Sequence, residues 1–440
     1  MKQDLTTGTI TGKLLLFAMP LMLGNVLQQF YNLVDTLIVG HFLGADALAA
    51  VGSSYTLMTF LNSVLLGLCM GSSAYFSIQF GKGAYDNLKK GIFLSFVFIG
   101  AIAVILNILV FVKLDWIITI LRVPSEIQAL MKQYLIYIFM GIVATFFYNY
   151  FANLLRSVGN SFAPLLFLGI CVLLNVLLDV LFVAVFQWGV AGAAIATVIA
   201  QYLSGLGLFL YYYFWCSELR LARRHIKWDG GILRDIFHLS SITCMQQSVM
   251  NFGILMVQGL VNSFGATVMA AFAVAVKIDT VAYMPVQDFG NAFSTFVAQN
   301  YGAGKKERIV KGIKSAFVVV MLFCLVSSLV VCLFAEPLMQ IFVKKSNEAV
   351  IAVGVGYLRI EAAFYLGIGI LFLLYGYYRA VEKPGMSLIL TICSLGSRVV
   401  LAYLLSAVPA IGVTGIWIAI PIGWFLADVL GIGYYFWRRT

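Results

Sequence analysis

A chain of 440 residues with 62% hydrophobic and 10% charged side chains has too little polar sequence to cover a soluble core, so lipid is the expected solvent for most of it. The net charge of +10 is spread over short connections between apolar runs, which argues against a nucleic-acid surface and leaves an orientation signal instead. The runs are continuous rather than alternating, which excludes a membrane β-barrel.

Twelve apolar runs follow in chain order, at 13–39, 50–78, 88–112, 128–152, 161–186, 189–215, 237–263, 268–298, 312–335, 349–377, 385–408 and 411–436; each is long enough to cross the ~30 Å hydrocarbon layer as a helix. The first has no small-residue cleavage site after it and reads as a retained helix rather than a signal peptide. With residue 1 inside, twenty Lys and Arg fall on inner connections, among them Lys2, Lys89, Lys90, Arg438 and Arg439. Five fall on outer ones (Lys113, Arg122, Lys132, Lys344, Lys345), and this positive-inside bias predicts a multi-pass plasma-membrane protein with both termini cytoplasmic. The seven cysteines have neither metal-ligand nor paired spacing and read as small core residues, so no metal site is expected.

The chain repeats itself. "FLGADALAAV" from Phe42 aligns with "SFGATVMAAF" from Ser263, and "GKGAYDNLKKGI" from Gly81 with "GAGKKERIVKGI" from Gly302, both at an offset of 221. Tyr134 then matches Tyr357, Arg156 matches Arg379, and "GVAGAAIA" from Gly189 matches "GVTGIWIA" from Gly412, at an offset of 223. Six spans per copy is an even number, so the copies share one orientation. This predicts an all-α polytopic protein of two parallel six-helix lobes, 1–215 and 237–440, joined by a charged cytoplasmic linker at 216–236 that also meets lipid headgroups.

An ionised side chain at mid-membrane costs roughly 2.5–3.5 kcal/mol even on the lenient insertion scale. The acids to explain are Asp35, Asp179, Asp279, Asp288, Glu361 and Asp428, and the bases are Lys277, Arg359 and Arg398. Asp35, Asp179 and Thr197 all fall in the outer third of their helices, and Asn175 shares a helix face with Asp179 four residues on. Two carboxylates, an amide and a hydroxyl at one level suit Na⁺ or a shared proton. The alternative is that Asp35 snorkels to water and Asp179 meets backbone or Tyr donors. Pro20, earlier on the same helix as Asp35, marks either a hinge or a static kink.

"LGADALAAVG" after the first span, "LRSVGNSFAP" after the fourth and "WGVAGAAIAT" entering the sixth, on a six-plus-six duplication, resemble the multidrug and toxic compound extrusion (MATE) transporters, most closely the DinF-like branch. The likeness covers essentially the whole chain. It implies a cation site at Asp35, Asn175, Asp179 and Thr197 with a bending Pro20. It also implies efflux of organic, often cationic amphipathic compounds in exchange for H⁺ or Na⁺, with no cofactor, by a monomer.

In the second copy Asp35, Asn175 and Asp179 become Met256, Arg398 and Ala402, so a structural Glu361–Arg398 ion pair is expected there. Other members of the family place an acid four residues after a Tyr for the cation, and Tyr357 and Glu361 have that spacing, which keeps a second site open. Lys277 and Asp288 are expected to pair across Pro285. A surface for varied flat or cationic substrates is expected from Gln28, Gln29, Tyr31, Asn153, Gln246, Gln247, Met250 and Met256, with Lys277 and Asp288 tuning charge. A lipid or lipid-linked oligosaccharide flippase of the same superfamily is the alternative function. An enzyme is not expected: the aspartates lack a GxGD context, there is no HExxH, and "GAGKKER" lacks phosphate-loop spacing.

Overall fold

The computed structural model describes residues 3–120 and 125–437; Lys2, Arg122, Arg438 and Arg439, counted above for orientation, lie outside the described residues. The regular elements among them are helices. The first copy holds α1 (Ile10–Leu43), α2 (Ala45–Gly81), α3 (Tyr85–Val112), α4 (Leu114–Ile120), α5 (Ser125–Phe139), α6 (Ile142–Ser157), α7 (Phe162–Asp179) and α8 (Gly189–Trp215). The second repeats that order as α9 (Gly230–Asn262), α10 (Ala266–Gly302), α11 (Lys306–Leu333), α12 (Ala335–Phe342), α13 (Glu348–Ala363), α14 (Tyr365–Ala380), α15 (Pro384–Ser406) and α16 (Thr414–Trp437).

The long helices overshoot the bilayer. α1 has 34 residues, which at 1.5 Å per residue is about 51 Å. Among the described residues nine helices are long and apolar enough to cross a membrane, or eleven when α5 with α6 and α13 with α14 each count as one span. Those two expected spans are broken by 45° and 53°. The span expected at 237–263 is also helical, in the 33-residue α9, but Arg234, Asp235, His238, Gln246, Gln247 and Asn251 hold its apolarity below that of the others.

Contacts divide the chain into two compact units: unit 1 is Met1–Asp4 with Met19–Cys244, and unit 2 is Leu5–Ala18 with Met245–Thr440. The boundaries therefore differ from 215 and 237. The opening turns of α1 belong with unit 2, and the first half of α9 belongs with unit 1. Local packing explains both.

In unit 1, Gly71 brings α2 so close to α9 that an added Cβ would collide with the backbone of Leu239 and Ser240, and one on Gly67 would lie 2.6 Å from Cys244 Cα. Ser72 and Ser240 share a 2.9 Å hydrogen bond in the same seam. In unit 2, Arg308 donates to the carbonyls of Leu5 (3.2 Å), Thr7 (2.6 Å) and Gly8 (2.8 Å), and Lys305 donates to Thr6 O at 2.8 Å. α1 continues through Pro20 as one helix, with the unit boundary at Ala18/Met19 two residues before it.

Unit 1 has an aromatic centre in which Tyr150 packs edge-on to Phe76 and Phe96. Its buried hydroxyl donates to Ile92 O at 2.6 Å, so the ring fills the core without stranding a polar atom.

Candidate functional site

α1 carries Tyr31 and Asp35 one turn apart, on one face. α7 carries Asn175 and Asp179 with the same spacing and ends at Asp179, where the helix widens into a π turn over Val180–Val185. Such insertions re-aim side chains and recur at functional positions. α8 supplies Thr197.

The side chains converge inside unit 1. Asp179, Asn175 and Thr197 are 0%, 1% and 6% exposed. The carboxyls of Asp35 and Asp179 lie within hydrogen-bonding reach of each other. One oxygen of each, Oδ1 in both cases, is buried without a hydrogen-bond partner. The Asn175 amide is oriented with its nitrogen toward Asp179, since the opposite orientation sets two acceptors face to face. It then donates to Asp179 Oδ2 at 2.8 Å, and its oxygen accepts from Thr197 Oγ1 at 3.3 Å. Thr197 Oγ1 also shares a 3.1 Å hydrogen bond with Tyr31 OH.

All four expected cation ligands are thus in one cluster. Two phenols complete it: Tyr31, expected to face substrate, and Tyr134 of α5, which the sequence marked only as a repeat position and which lies within electrostatic reach of both acids. Nothing in the sequence distinguishes Tyr134 from the other 21 tyrosines except its match to Tyr357.

Unit 2 differs. Glu361 and Arg398 do not form the expected direct ion pair: both Glu361 carboxyl oxygens lack a hydrogen-bond partner, and Arg398 acts on Glu361 only at longer electrostatic range. Asp279 of α10 occupies the centre instead, accepting from Tyr365 OH at 2.7 Å and Tyr357 OH at 3.3 Å. Tyr357 is held by edge contacts with Phe272 and Trp417, which stack on each other. Sequence reasoning counted Asp279 among the membrane acids and missed its role, because its two donors come from other helices. The break between α13 and α14 falls between Glu361 and Tyr365, so the bend itself aims these two side chains.

The expected Lys277–Asp288 pair is not made. Eleven residues separate them, about 16 Å along α10, and Lys277 is exposed while Asp288 is buried. The remaining expected substrate positions are dispersed. Gln28, Gln29 and Met256 are exposed, Gln247 and Met250 half-buried, and Asn153 and Gln246 buried, each within its own unit. Among the described residues no group of three or more His, Cys, Asp or Glu is placed to hold a metal ion.

Comparison with known proteins agrees with this architecture. Residues 20–181 and 242–404, one block per copy, match the family model MatE. A Bacillus subtilis protein described as probable multidrug resistance protein YpnP is 30% identical across 99% of this chain and 97% of its own length. A probable multidrug resistance protein NorM from Thermotoga maritima is 26% identical across 96% and 90%. In fold, the outward-facing structure of a multidrug resistance MATE family transporter superposes with a TM-score of 0.93 at 22% identity, covering 99% of this chain and 97% of that one.

Proposed function

This chain belongs to the MatE family and is a multi-pass membrane transporter rather than an enzyme, and we propose that it is a cation-coupled antiporter that exports organic, often cationic amphipathic compounds. The relatives' description as multidrug resistance proteins supports that substrate class. H⁺ or Na⁺ entering from outside is the coupling ion, and no other cofactor takes part. The protein works as a monomer in the plasma membrane, with both termini cytoplasmic and lipid around its apolar surface.

One observation carries the coupling. Two membrane carboxyls at hydrogen-bonding reach, each with a buried oxygen left over, repel unless a proton or cation sits between them. Asn175, Thr197 and Tyr31 supply neutral oxygens around that position. Loading the site removes the repulsion and draws α1 toward α7; unloading restores it. Coupling follows if substrate and ion favour different states of the transporter, and Pro20 is where α1 yields.

A second reading, coupling in unit 2, has one observation in its favour: Glu361 is 0% exposed with both carboxyl oxygens unpartnered. Substrate flux in proteoliposomes under separately imposed H⁺ and Na⁺ gradients tests the first. Wild type is expected to respond to one gradient and Asp35→Asn to neither. Gradient-driven flux that survives in Asp35→Asn would remove the carboxyl pair from coupling.

A further inference from the structure

We infer that unit 1 also contains the release route of the coupling cation: a ladder of uncharged polar side chains, Gln201, Thr145, Asn149 and Asn153, running from the carboxyl pair to the end of α6. The inference rests on that pair being the coupling site.

The ladder begins at the site. Gln201 lies one turn beyond Thr197 on α8, about 6 Å along the axis, and so shares its face. Its Oε1 accepts from Thr145 Oγ1 at 3.1 Å. Asn149 Nδ2 then donates to Thr145 O at 2.9 Å, and Asn153 Nδ2 to Asn149 O at 2.8 Å. From Thr145 to Asn153 the line covers about 12 Å of one face of α6. It ends one turn short of Arg156 and Ser157, on the side that the charge bias assigns to the cytoplasm. With the Asn149 and Asn153 amide nitrogens bonded to carbonyls of the preceding turn, the oxygens of these two amides are left for water or a passing cation.

The break between α5 and α6 is part of the same construction. A Cβ on Gly141 would stand 2.9 Å from Gln201 Oε1 and 3.0 Å from Ile138 O, so the break lies directly against the top of the ladder.

The internal repeat provides the control. At the offset of 223 the two helix breaks coincide, with Ile142 matching Tyr365. There Thr145, Asn149, Asn153, Thr197 and Gln201 become Ile368, Phe372, Gly376, Ile420 and Trp424, and Gly141 becomes Phe364. The copy without Asp35 and Asp179 has lost each of these polar groups. Polar side chains kept only for packing have no reason to follow the carboxyls, whereas a route for the ion does. Thr145 and Asn153 are buried, and their hydrogen bonds to Gln201 and to the carbonyl of Asn149 offset the cost of that burial. No charged group lies among the four rungs, so a cation leaving the carboxyls meets oxygens that hold it weakly, as passage requires.

The test uses the full-length protein in proteoliposomes, with Asp35→Asn in parallel. Asn149→Leu and Gln201→Leu are expected to keep substrate binding and lose ion-driven exchange, and Asn149→Ser and Gln201→Asn to recover it. In a protein whose seven native cysteines are replaced by alanine, Asn149→Cys is expected to react with a membrane-impermeant cationic thiol reagent added on the cytoplasmic side. Wild-type exchange in both leucine variants while Asp35→Asn is inactive, or an Asn149→Cys thiol that the cytoplasmic reagent does not reach, overturns the route alone. Undiminished exchange in Asp35→Asn overturns the coupling reading beneath it.

Discussion

Asn175 illustrates how much of the site depends on one amide. It is buried and donates to a buried carboxylate oxygen, so Asn175→Leu keeps the volume but strands Asp179 Oδ2. Leaving such a group unsatisfied costs about 1–3 kcal/mol. The expected outcome is a lower unfolding temperature in detergent together with loss of coupled flux; a variant unchanged in both would remove the amide from the site. Outside the membrane, Asp229 accepts from the backbone N–H groups of Gly231 and Ile232 at 3.2 Å, at the start of α9, with Lys90 Nζ 3.6 Å away. The Ile232 N–H above all, then Lys90, holds its carboxyl below the usual range. A depressed carboxylate stabilises the fold above its unfolded-state value, near pH 4, and loses that contribution as pH falls through the folded-state value. Asp229→Ala should therefore lower the unfolding temperature at pH 7, with the gap to wild type closing in acid. A gap independent of pH would mean that the carboxylate charge is not what Ile232 holds.

At the scale of elements, the breaks in 128–152 and 349–377 were invisible because hydrophobicity runs unbroken through Met140, Gly141 and Phe364, with no proline to flag them. Pro20 has the opposite character. It is conspicuous in sequence, yet α1 passes through it as one helix. The π turn after Asp179 leaves no compositional trace either. Helix contacts give a sharper prediction. Gly71→Ala forces a methyl into the backbone of α9, and overpacking of this kind costs typically about 1–3 kcal/mol. Gly52→Ala, on the same helix but with open space around it, should be tolerated. Thermal unfolding of the two variants side by side checks this; equal melting points would mean that the α2–α9 seam is looser than described.

For the whole molecule, the two copies share one element order but not one chemistry. Unit 1 has paired carboxyls with neutral ligands and a π turn, whereas unit 2 has Asp279 satisfied by two phenols beside a fixed guanidinium. If coupling belongs to unit 1, Glu361→Gln should keep its dependence on the ion gradient while Asp35→Asn loses it, a difference of roughly 5–150-fold for coupling free energies of about 1–3 kcal/mol. Flux assays on the two variants, with assembly verified by size-exclusion chromatography, decide the matter, and the reverse pattern would move the coupling site to unit 2.

By itself the sequence determined the solvent, the approximate spans, the orientation signal, the duplication and a short list of expensive charges, since each follows from local composition or from comparing the chain with itself. It also placed Asn175 beside Asp179, because helical spacing alone puts them on one face. Only the tertiary structure decided which charges meet: that Asp35 finds Asp179, that Tyr31 and Tyr134 join them, and that Asp279 rather than Glu361 takes the phenols. It also decided that the opening turns of α1 and the first half of α9 pack with the opposite unit from the rest of their helices. These facts depend on contacts between residues on different helices, far apart in the chain, and hydropathy, which is additive along the chain, contains no term for them.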